Sequence, residues 1–385
     1  MAKVRHFFII MMLMVVVMTG NSVVWAATAP PTSVARAAEL VDAATGKVLF
    51  QQNANAELPM ASVTKLMTLY IAVKAVVQHK VSLSSLVPAD EDAYHIGGSQ
   101  IWLRPGERLT VDQMLKAIAV GSANDAAYAL GAYLGGSETQ FVAIMNQTAR
   151  QLGMMHTHFV NPHGLPVRDH FTTAHDLAIL GSAAVKYPLL LHYTSQWQDR
   201  TIRNGKGGSL WLINQNRLLR TYIGADGLKT GYTHAAGFCM VATARREGTR
   251  LIAVILGAPT SKLRFADAQA LMTWGFLNYR TFKLATPSNL PKTLPVAHGA
   301  ISSVMVALKR PVMMTVPTAD WGHVSWRIET VPRLIAPVAL QQEVGSVTVV
   351  VPNQPPLRIP IVATQTVRRV GFGELVWNYF WYIAQ

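Results

Sequence analysis

Extended apolar segments occur in two groups far apart in the chain, with helical patterns between them, and this separation constrains the fold more than any other feature. Ala37 to Val41 and Lys47 to Gln51 flank Asp42-Ala-Ala-Thr-Gly46 and read as a β-hairpin with Gly46 near its turn. Phe238 to Ala244 and Arg250 to Leu256 are two apolar runs joined by Arg245-Arg-Glu-Gly-Thr249, an antiparallel pair. Between the groups, Ala61 to Val77 carries Leu66, Leu69, Tyr70 and Val73 at helical spacing, and Thr110 to Val120, Asp125 to Leu134 and Thr139 to Leu152 read as further helices. Ala266 to Tyr279 closes the region as a helix. Strands at both ends with helices between them describe an α+β domain whose antiparallel sheet joins distant parts of the chain.

Helical periodicity ends after Leu284. Ala285 to Pro295 carries three prolines and reads as a linker. Short β-rich runs follow at Ser303 to Leu308, Val312 to Val316, Val324 to Thr330, Ser346 to Val351 and Leu357 to Ala363, the pattern of a small β-sandwich. The N-terminus places Lys3 and Arg5 ahead of an apolar run, Phe7 to Met18, with small residues around Ala26, the form of a secretory signal peptide. At the other end, Phe372, Leu375, Val376, Tyr379, Phe380 and Ile383 follow helical spacing, Trp377, Trp381 and Tyr382 widen the aromatic belt, and Arg368 and Arg369 precede it. At 1.5 Å per residue such a helix reaches only about 21 Å, which suits the membrane interface and not a span. The expected organisation is therefore 1–26 signal peptide, 27–284 first domain, 285–365 β-sandwich and 366–385 amphipathic anchor helix.

The formal charge of +14 suits an anionic partner. An exported protein meets little nucleic acid, so the excess is assigned to anionic lipid or cell-wall material. The lone Cys239 allows no intramolecular disulfide and no cysteine-based zinc site, and in its apolar strand it reads as a small buried hydrophobe.

Three short constellations carry chemistry. In Ser62-Val-Thr-Lys65, residues three apart on a helix share a face, so the Lys65 amine can reach the Ser62 hydroxyl and act as its base if its pKa is depressed. Taken alone, Ser62 is as readily a helix cap. In Ser122-Ala-Asn124, at a junction between helices, a hydroxyl can relay a proton and an amide can hold a carbonyl or the lysine, although Ser122 too suits a cap. In Lys229-Thr-Gly231, beside the strand pair, the lysine offers charge and Gly231 lets a substrate backbone lie along a strand edge; a surface lysine beside a turn is the bland alternative. Their order and their placement on helix, loop and strand match the signature set of penicillin-binding proteins and class A β-lactamases.

Further segments strengthen that likeness. Gly98-Ser-Gln-Ile-Trp-Leu-Arg-Pro-Gly106, Val160-Asn-Pro-His-Gly-Leu165, Asn216-Arg-Leu-Leu219, Asp226-Gly-Leu-Lys-Thr-Gly231 and Ala236-Gly-Phe-Cys-Met-Val-Ala-Thr243 resemble the low-molecular-mass D-alanyl-D-alanine carboxypeptidases, over about Ala37 to Phe282. The resemblance implies a β-lactamase/transpeptidase-like domain and a serine peptidase that removes the terminal D-alanine from peptidoglycan stem pentapeptides and is acylated by penicillins, without metal or cofactor. It implies Ser62 as nucleophile, Lys65 as general base, Ser122 as proton shuttle and Asn124 as a contact to substrate and Lys65. It also implies Lys229, Thr230 and Gly231 as the substrate-docking strand, Arg264 or Arg217 as the partner of the terminal carboxylate, and the backbone N–H groups of Ser62 and Tyr232 as the oxyanion hole. The protein is then expected on the periplasmic side of the cytoplasmic membrane, peripherally anchored through its C-terminal helix. Tyr232 stands where some members carry histidine and Ala123 where some carry glycine, which bears on substrate preference.

Two other enzymes compete with this reading, and a D,D-endopeptidase acting on cross-links shares its chemistry. A β-lactamase needs a carboxylate to drive water onto the acyl-enzyme, and the only glutamate between Ser122 and Lys229 is Glu138. A zinc peptidase would draw on His156, His158, His163, His170 and His175, yet no helical His-Glu-x-x-His pairing is present. These histidines are expected to stabilise a polar loop around Asn161-Pro-His-Gly164.

Overall fold

The computed structural model describes residues 29–203, 208–284, 287–352, 354–371 and 373. The expected signal peptide, 1–26, and nearly all of the aromatic C-terminal segment lie outside the described residues.

The sheet unites the two ends of the first domain as the strand pattern requires. Strands β1 (Ala37–Asp42), β2 (Val48–Gln52), β3 (Ala225–Thr233), β4 (Gly237–Arg246) and β5 (Thr249–Ala258) lie in the order β2-β1-β5-β4-β3, all pairs antiparallel. β1 pairs with β5 from Ala37 opposite Leu256 to Asp42 opposite Leu251. Its position inside the sheet is why every residue of β1 is buried. Both faces are covered, so β4 and β5 show continuous apolar runs instead of alternation. Cys239 and Val241 turn toward the main helical body, while Met240, Ala242 and Ala244 pack against the long helix Ser261–Asn278. That helix begins five residues before the periodicity suggests, because Thr260 caps it by accepting from the Leu263 N–H.

Helix α1 (Lys65–Val77) crosses the middle of the helical body and is buried on nearly all sides, from Lys65 to Tyr70 without a break. The helical reading of Ala61 to Val77 is corrected at its start, where Ala61–Thr64 forms a tighter 3-10 turn. Ala61 has φ +49°, a left-handed conformation unusual for a residue with a Cβ. Around α1 pack α2 (Val111–Ala119), closed at its N-terminus by a reciprocal Thr110–Gln113 capping box, α3 (Asn124–Gly135) and α4 (Glu138–Leu152).

The proline-rich linker is shorter than the sequence suggests. β6 (Tyr279–Lys283) already pairs with a strand of the second module, and β7 (Thr293–Ala297) includes Pro295, where its antiparallel pairing stops opposite Ser303. β8 (Ser303–Leu308), β9 (Met313–Pro317), β10 (Ser325–Thr330), β11 (Leu334–Ile335), β12 (Glu343–Val350) and β13 (Leu357–Ala363) complete the module. The six-stranded sheet β10-β12-β13-β8-β7-β11 and the β6–β9 ribbon share one core built on Val304, Val316, Val347 and Ile361. Parallel pairing of β7 with β11 is a long-range feature without a local sequence signal.

Candidate active site

The three constellations converge on the end of α1. Ser62 lies in the 3-10 turn, Lys65 is the first residue of α1, Ser122 sits in the junction between α2 and α3, and Lys229 is in the middle of the edge strand β3. Neither serine is a helix cap. The Ser62 hydroxyl accepts a hydrogen bond from Lys65 Nζ at 2.9 Å, and the Ser122 hydroxyl accepts one from Lys229 Nζ at 3.0 Å. Lys229 is not a surface lysine either: it is buried and also donates to the Thr230 carbonyl oxygen at 3.0 Å.

Lys65 is fully enclosed. Its Nζ meets the Asn124 Oδ1 at 2.5 Å, the His163 carbonyl oxygen at 2.6 Å and the Ser62 hydroxyl. A neutral amine has two hydrogens and one lone pair, and two of these partners are pure acceptors. In the neutral amine both hydrogens go to these acceptors, so the bond to Ser62 reverses from its direction in the charged form: the Ser62 hydroxyl donates to the Nζ lone pair, the arrangement a base requires. Electrostatics favours the neutral form as well. Burial first, and then the neighbouring Lys229 charge, hold the Lys65 amine well below its usual pKa, against an opposing pull from Asp125. Lys229 is lowered to about 7 by burial and by Arg264.

Asn124 is held from behind. Its Nδ2 donates to the Gly97 carbonyl oxygen at 2.7 Å and its own N–H to the Ser99 carbonyl oxygen at 2.7 Å. The following residue, Asp125, is fully buried and accepts from the N–H groups of Ile101 and Leu103, tying the 97–103 loop to α3. Nothing in the local sequence marks Asp125 for this task; only the convergence of loop and helix reveals it.

Gly231 faces the 3-10 turn. A Cβ there would lie 2.9 Å from the backbone nitrogens of both Ser62 and Val63, so only glycine permits the strand to approach so closely. Thr230 is buried beside it, and Tyr232 is half exposed, its ring stacked on Phe238 with centroids 4.3 Å apart. Ala123, the other departure from the family pattern, is buried at the start of α3.

The two candidate arginines differ in setting. Arg264 is buried behind the β3–β4 pair, with Nη1 donating to the Gly231 and Cys239 carbonyl oxygens at 3.1 and 3.2 Å and Nη2 to Ser261 Oγ. Arg217 is exposed and close enough for its charge to bear on Arg264, whose pKa is lowered to about 10, mainly by burial.

The histidines are distributed as a polar loop. Asn161 Oδ1 accepts from the N–H groups of His163 and Gly164, closing a turn that presents the His163 carbonyl to Lys65. His163 Nδ1 accepts from the Leu165 N–H, and its Nε2 lies 3.8 Å from Glu138. His158 contacts the Asp169 carbonyl and His175 pairs with Glu39. Cys239 is buried, its thiol pushed up to about 11 by desolvation.

Comparison with known proteins adds to this geometry. Residues 24–260 match the family model described as D-alanyl-D-alanine carboxypeptidase, and residues 279–369 match the model of the penicillin-binding protein 5 C-terminal domain. The D-alanyl-D-alanine carboxypeptidase DacF of Bacillus subtilis is 35% identical over 339 residues, covering 88% of this chain and 87% of the relative. The crystal structure of penicillin binding protein 5 from Haemophilus influenzae superposes with a TM-score of 0.79 at 29% identity, over 89% of this chain and all of that one. Penicillin-binding protein D2 of Listeria monocytogenes, solved in its ampicillin-bound form, matches 64% of this chain and all of its own at 34% identity, with a TM-score of 0.55.

Proposed function

The chain belongs to the D-alanyl-D-alanine carboxypeptidase family, and from that premise we propose that Ser62 is the nucleophile and Lys65 its general base. The protein is a serine-type D-alanyl-D-alanine carboxypeptidase and a penicillin-binding protein, acting on peptidoglycan peptides and binding β-lactams. The observation that supports the residue roles best is the Lys65 amine, buried and offered two acceptors besides the Ser62 hydroxyl.

In this reading Ser62 Oγ attacks the carbonyl carbon of the penultimate D-alanine while its proton passes to Lys65 Nζ. The negative charge that forms on the carbonyl oxygen is met by the N–H groups of Ser62 and Tyr232. As the peptide bond breaks, the departing D-alanine amine takes a proton through Ser122, held by Lys229 at 3.0 Å. Water then cleaves the ester and frees the shortened stem. A β-lactam follows the same first steps, with the leaving nitrogen still tethered to the acyl group.

The free carboxylate of the substrate needs a cation. Arg217, exposed, can meet it without being desolvated beforehand, and Arg264 stiffens the strand beside it through the Gly231 carbonyl. We assign residues 27–284 to the catalytic domain and 285–365 to the β-domain, with the β6–β9 ribbon joining them. The basic, aromatic character of 366–385 supports peripheral attachment to an anionic membrane surface on the periplasmic side, after export through 1–26. Among the described residues no helix is long and apolar enough to cross a membrane.

Intact-mass measurement after penicillin treatment should show one adduct, absent from Ser62→Ala. An adduct that persists in Ser62→Ala would move the nucleophile elsewhere.

A further inference from the structure

The peptide bond between Ala61 and Ser62 carries two groups of opposite use. Its N–H belongs to Ser62 and is one of the two donors assigned above to the oxyanion. Its carbonyl belongs to Ala61 and is buried behind the turn. A trans peptide is planar, with C=O and N–H pointing in opposite directions. Whatever anchors the Ala61 carbonyl therefore aims the Ser62 N–H.

Beside the i→i+3 bonding of the 3-10 turn itself, the side-chain anchor is a directed chain of hydrogen bonds. The Val160 N–H donates to His170 Nδ1 at 3.0 Å, which makes Nδ1 the acceptor and leaves the ring proton on Nε2. His170 Nε2 is 2.8 Å from Thr64 Oγ1, and Thr64 Oγ1 donates to the Ala61 carbonyl oxygen at 2.8 Å. Each member has one direction open to it, and both side chains are buried, Thr64 at 1% and His170 at 7% exposure. Gly164 closes over the same carbonyl, since a Cβ there would overlap the Ala61 oxygen and lie 2.8 Å from Thr64 Oγ1. The anchored residue is also the strained one, Ala61 at φ +49°. Strain of this kind persists only where the surroundings fix it. On the opposite side of the same peptide, Gly231 leaves the Ser62 nitrogen facing the β3 edge.

We propose that His170 and Thr64 form a positioning relay that aims the Ser62 N–H into the oxyanion hole by holding the Ala61 carbonyl. Neither residue touches substrate; both act through the backbone. The relay rests on the assignment of Ser62 as nucleophile and oxyanion donor, and it gives a task to a histidine outside the three constellations and to the Thr inside Ser62-Val-Thr-Lys65.

The test uses the whole protein and the second-order rate of acylation by a fluorescent penicillin, with a thermal melt on every variant. Thr64→Val keeps the shape and removes the relay, and His170→Phe keeps a ring and removes both hydrogen bonds. Loss of a single oxyanion donor costs about 10²–10³ in rate, and misaiming one should cost roughly tenfold to a hundredfold. His170→Gln, whose amide offers N–H donors and a carbonyl acceptor, should recover most of the rate. In the double variant Thr64→Val/His170→Phe the losses should coincide instead of multiplying, because both break one chain. A transition-state-like boronate should lose affinity in step with the rate. Acylation within twofold of the parent in Thr64→Val or His170→Phe overturns the relay while leaving Ser62 in place. Multiplicative losses, or a His170→Gln variant as slow as His170→Phe, also overturn it. Failure of the parent protein to acylate would instead strike the assignment of Ser62 itself.

Discussion

At the scale of residues, two lysines share one enclosed space. With Lys65 as the proposed base, acylation requires its amine neutral, so the rate should rise as pH increases through the depressed pKa of that amine. Lys229 loses its charge as pH passes about 7, and the rate should fall on that side if its charge supports the leaving group. The two limbs are linked. Removing the cation at 229 relieves the repulsion on a protonated Lys65, so Lys229→Met should shift the acid limb of penicillin acylation to higher pH. An acid limb that stays in place would show that Lys229 does not set the Lys65 pKa. The terminal carboxylate gives a second residue-scale outcome. A charge-assisted contact is worth about 1.5–3 kcal/mol, so Arg217→Ala should lose roughly tenfold to a hundredfold on peptides ending in free D-alanine. On the same peptides with an amidated end the loss should disappear. Equal losses on both substrates would return the carboxylate to Arg264 or make Arg217 structural.

At the scale of elements, the site is a contact between a 3-10 turn and a strand edge, and the contact distance is set by a missing Cβ. Gly231→Ala places a methyl group 2.9 Å from two turn nitrogens, one of them the proposed oxyanion donor. Alanine is otherwise acceptable in a strand, so the expected outcome is a folded protein whose acylation is slower by about 10² or more. Circular dichroism and acylation rate together check this; a rate within tenfold of the parent would show that the turn moves aside freely. The elements themselves were largely legible because their signals are local. Thr110 announces a helix start and the alternation of turn residues with short apolar runs announces the β-module, whereas the caps Ser137 and Thr260 lie ahead of the starts that apolar periodicity gives. The 3-10 turn was not legible, since Ala-Ser-Val-Thr has no propensity for a left-handed alanine and tertiary contacts impose it.

At the scale of the whole molecule, the two modules meet through a seam of hydroxyls around a buried carboxylate. Asp42 accepts from Thr281 Oγ1 at 2.6 Å and from Thr45, Thr45 meets Thr315 at 2.7 Å, and Lys47 donates to the Thr315 carbonyl oxygen and to Gln354. A satisfied polar network of this kind favours one relative orientation over sliding. The network therefore holds the β-module in one orientation against the first domain. Truncation after Gly371 keeps the bond from the Val370 N–H to the His298 carbonyl oxygen, and should release the exported protein from membranes with peptidase activity unchanged. Retention of the truncated protein on vesicles of anionic lipid would place the membrane contact on the β-module.

The sequence by itself determined which residues meet at the site and roughly which elements carry them. A serine three residues from a lysine, a Ser-x-Asn turn and a Lys-Thr-Gly strand are local patterns, and hydrophobic periodicity is local as well. Only the tertiary structure decided how Lys65 and Lys229 are tuned, because burial and charge proximity depend on segments far apart in the chain. It also decided that Arg264 is buried beneath the docking strand, that Asp125 binds a loop to the site, and that His170 reaches the nucleophile turn through Thr64. A single sequence does not record distances between remote residues, and these tasks consist of such distances.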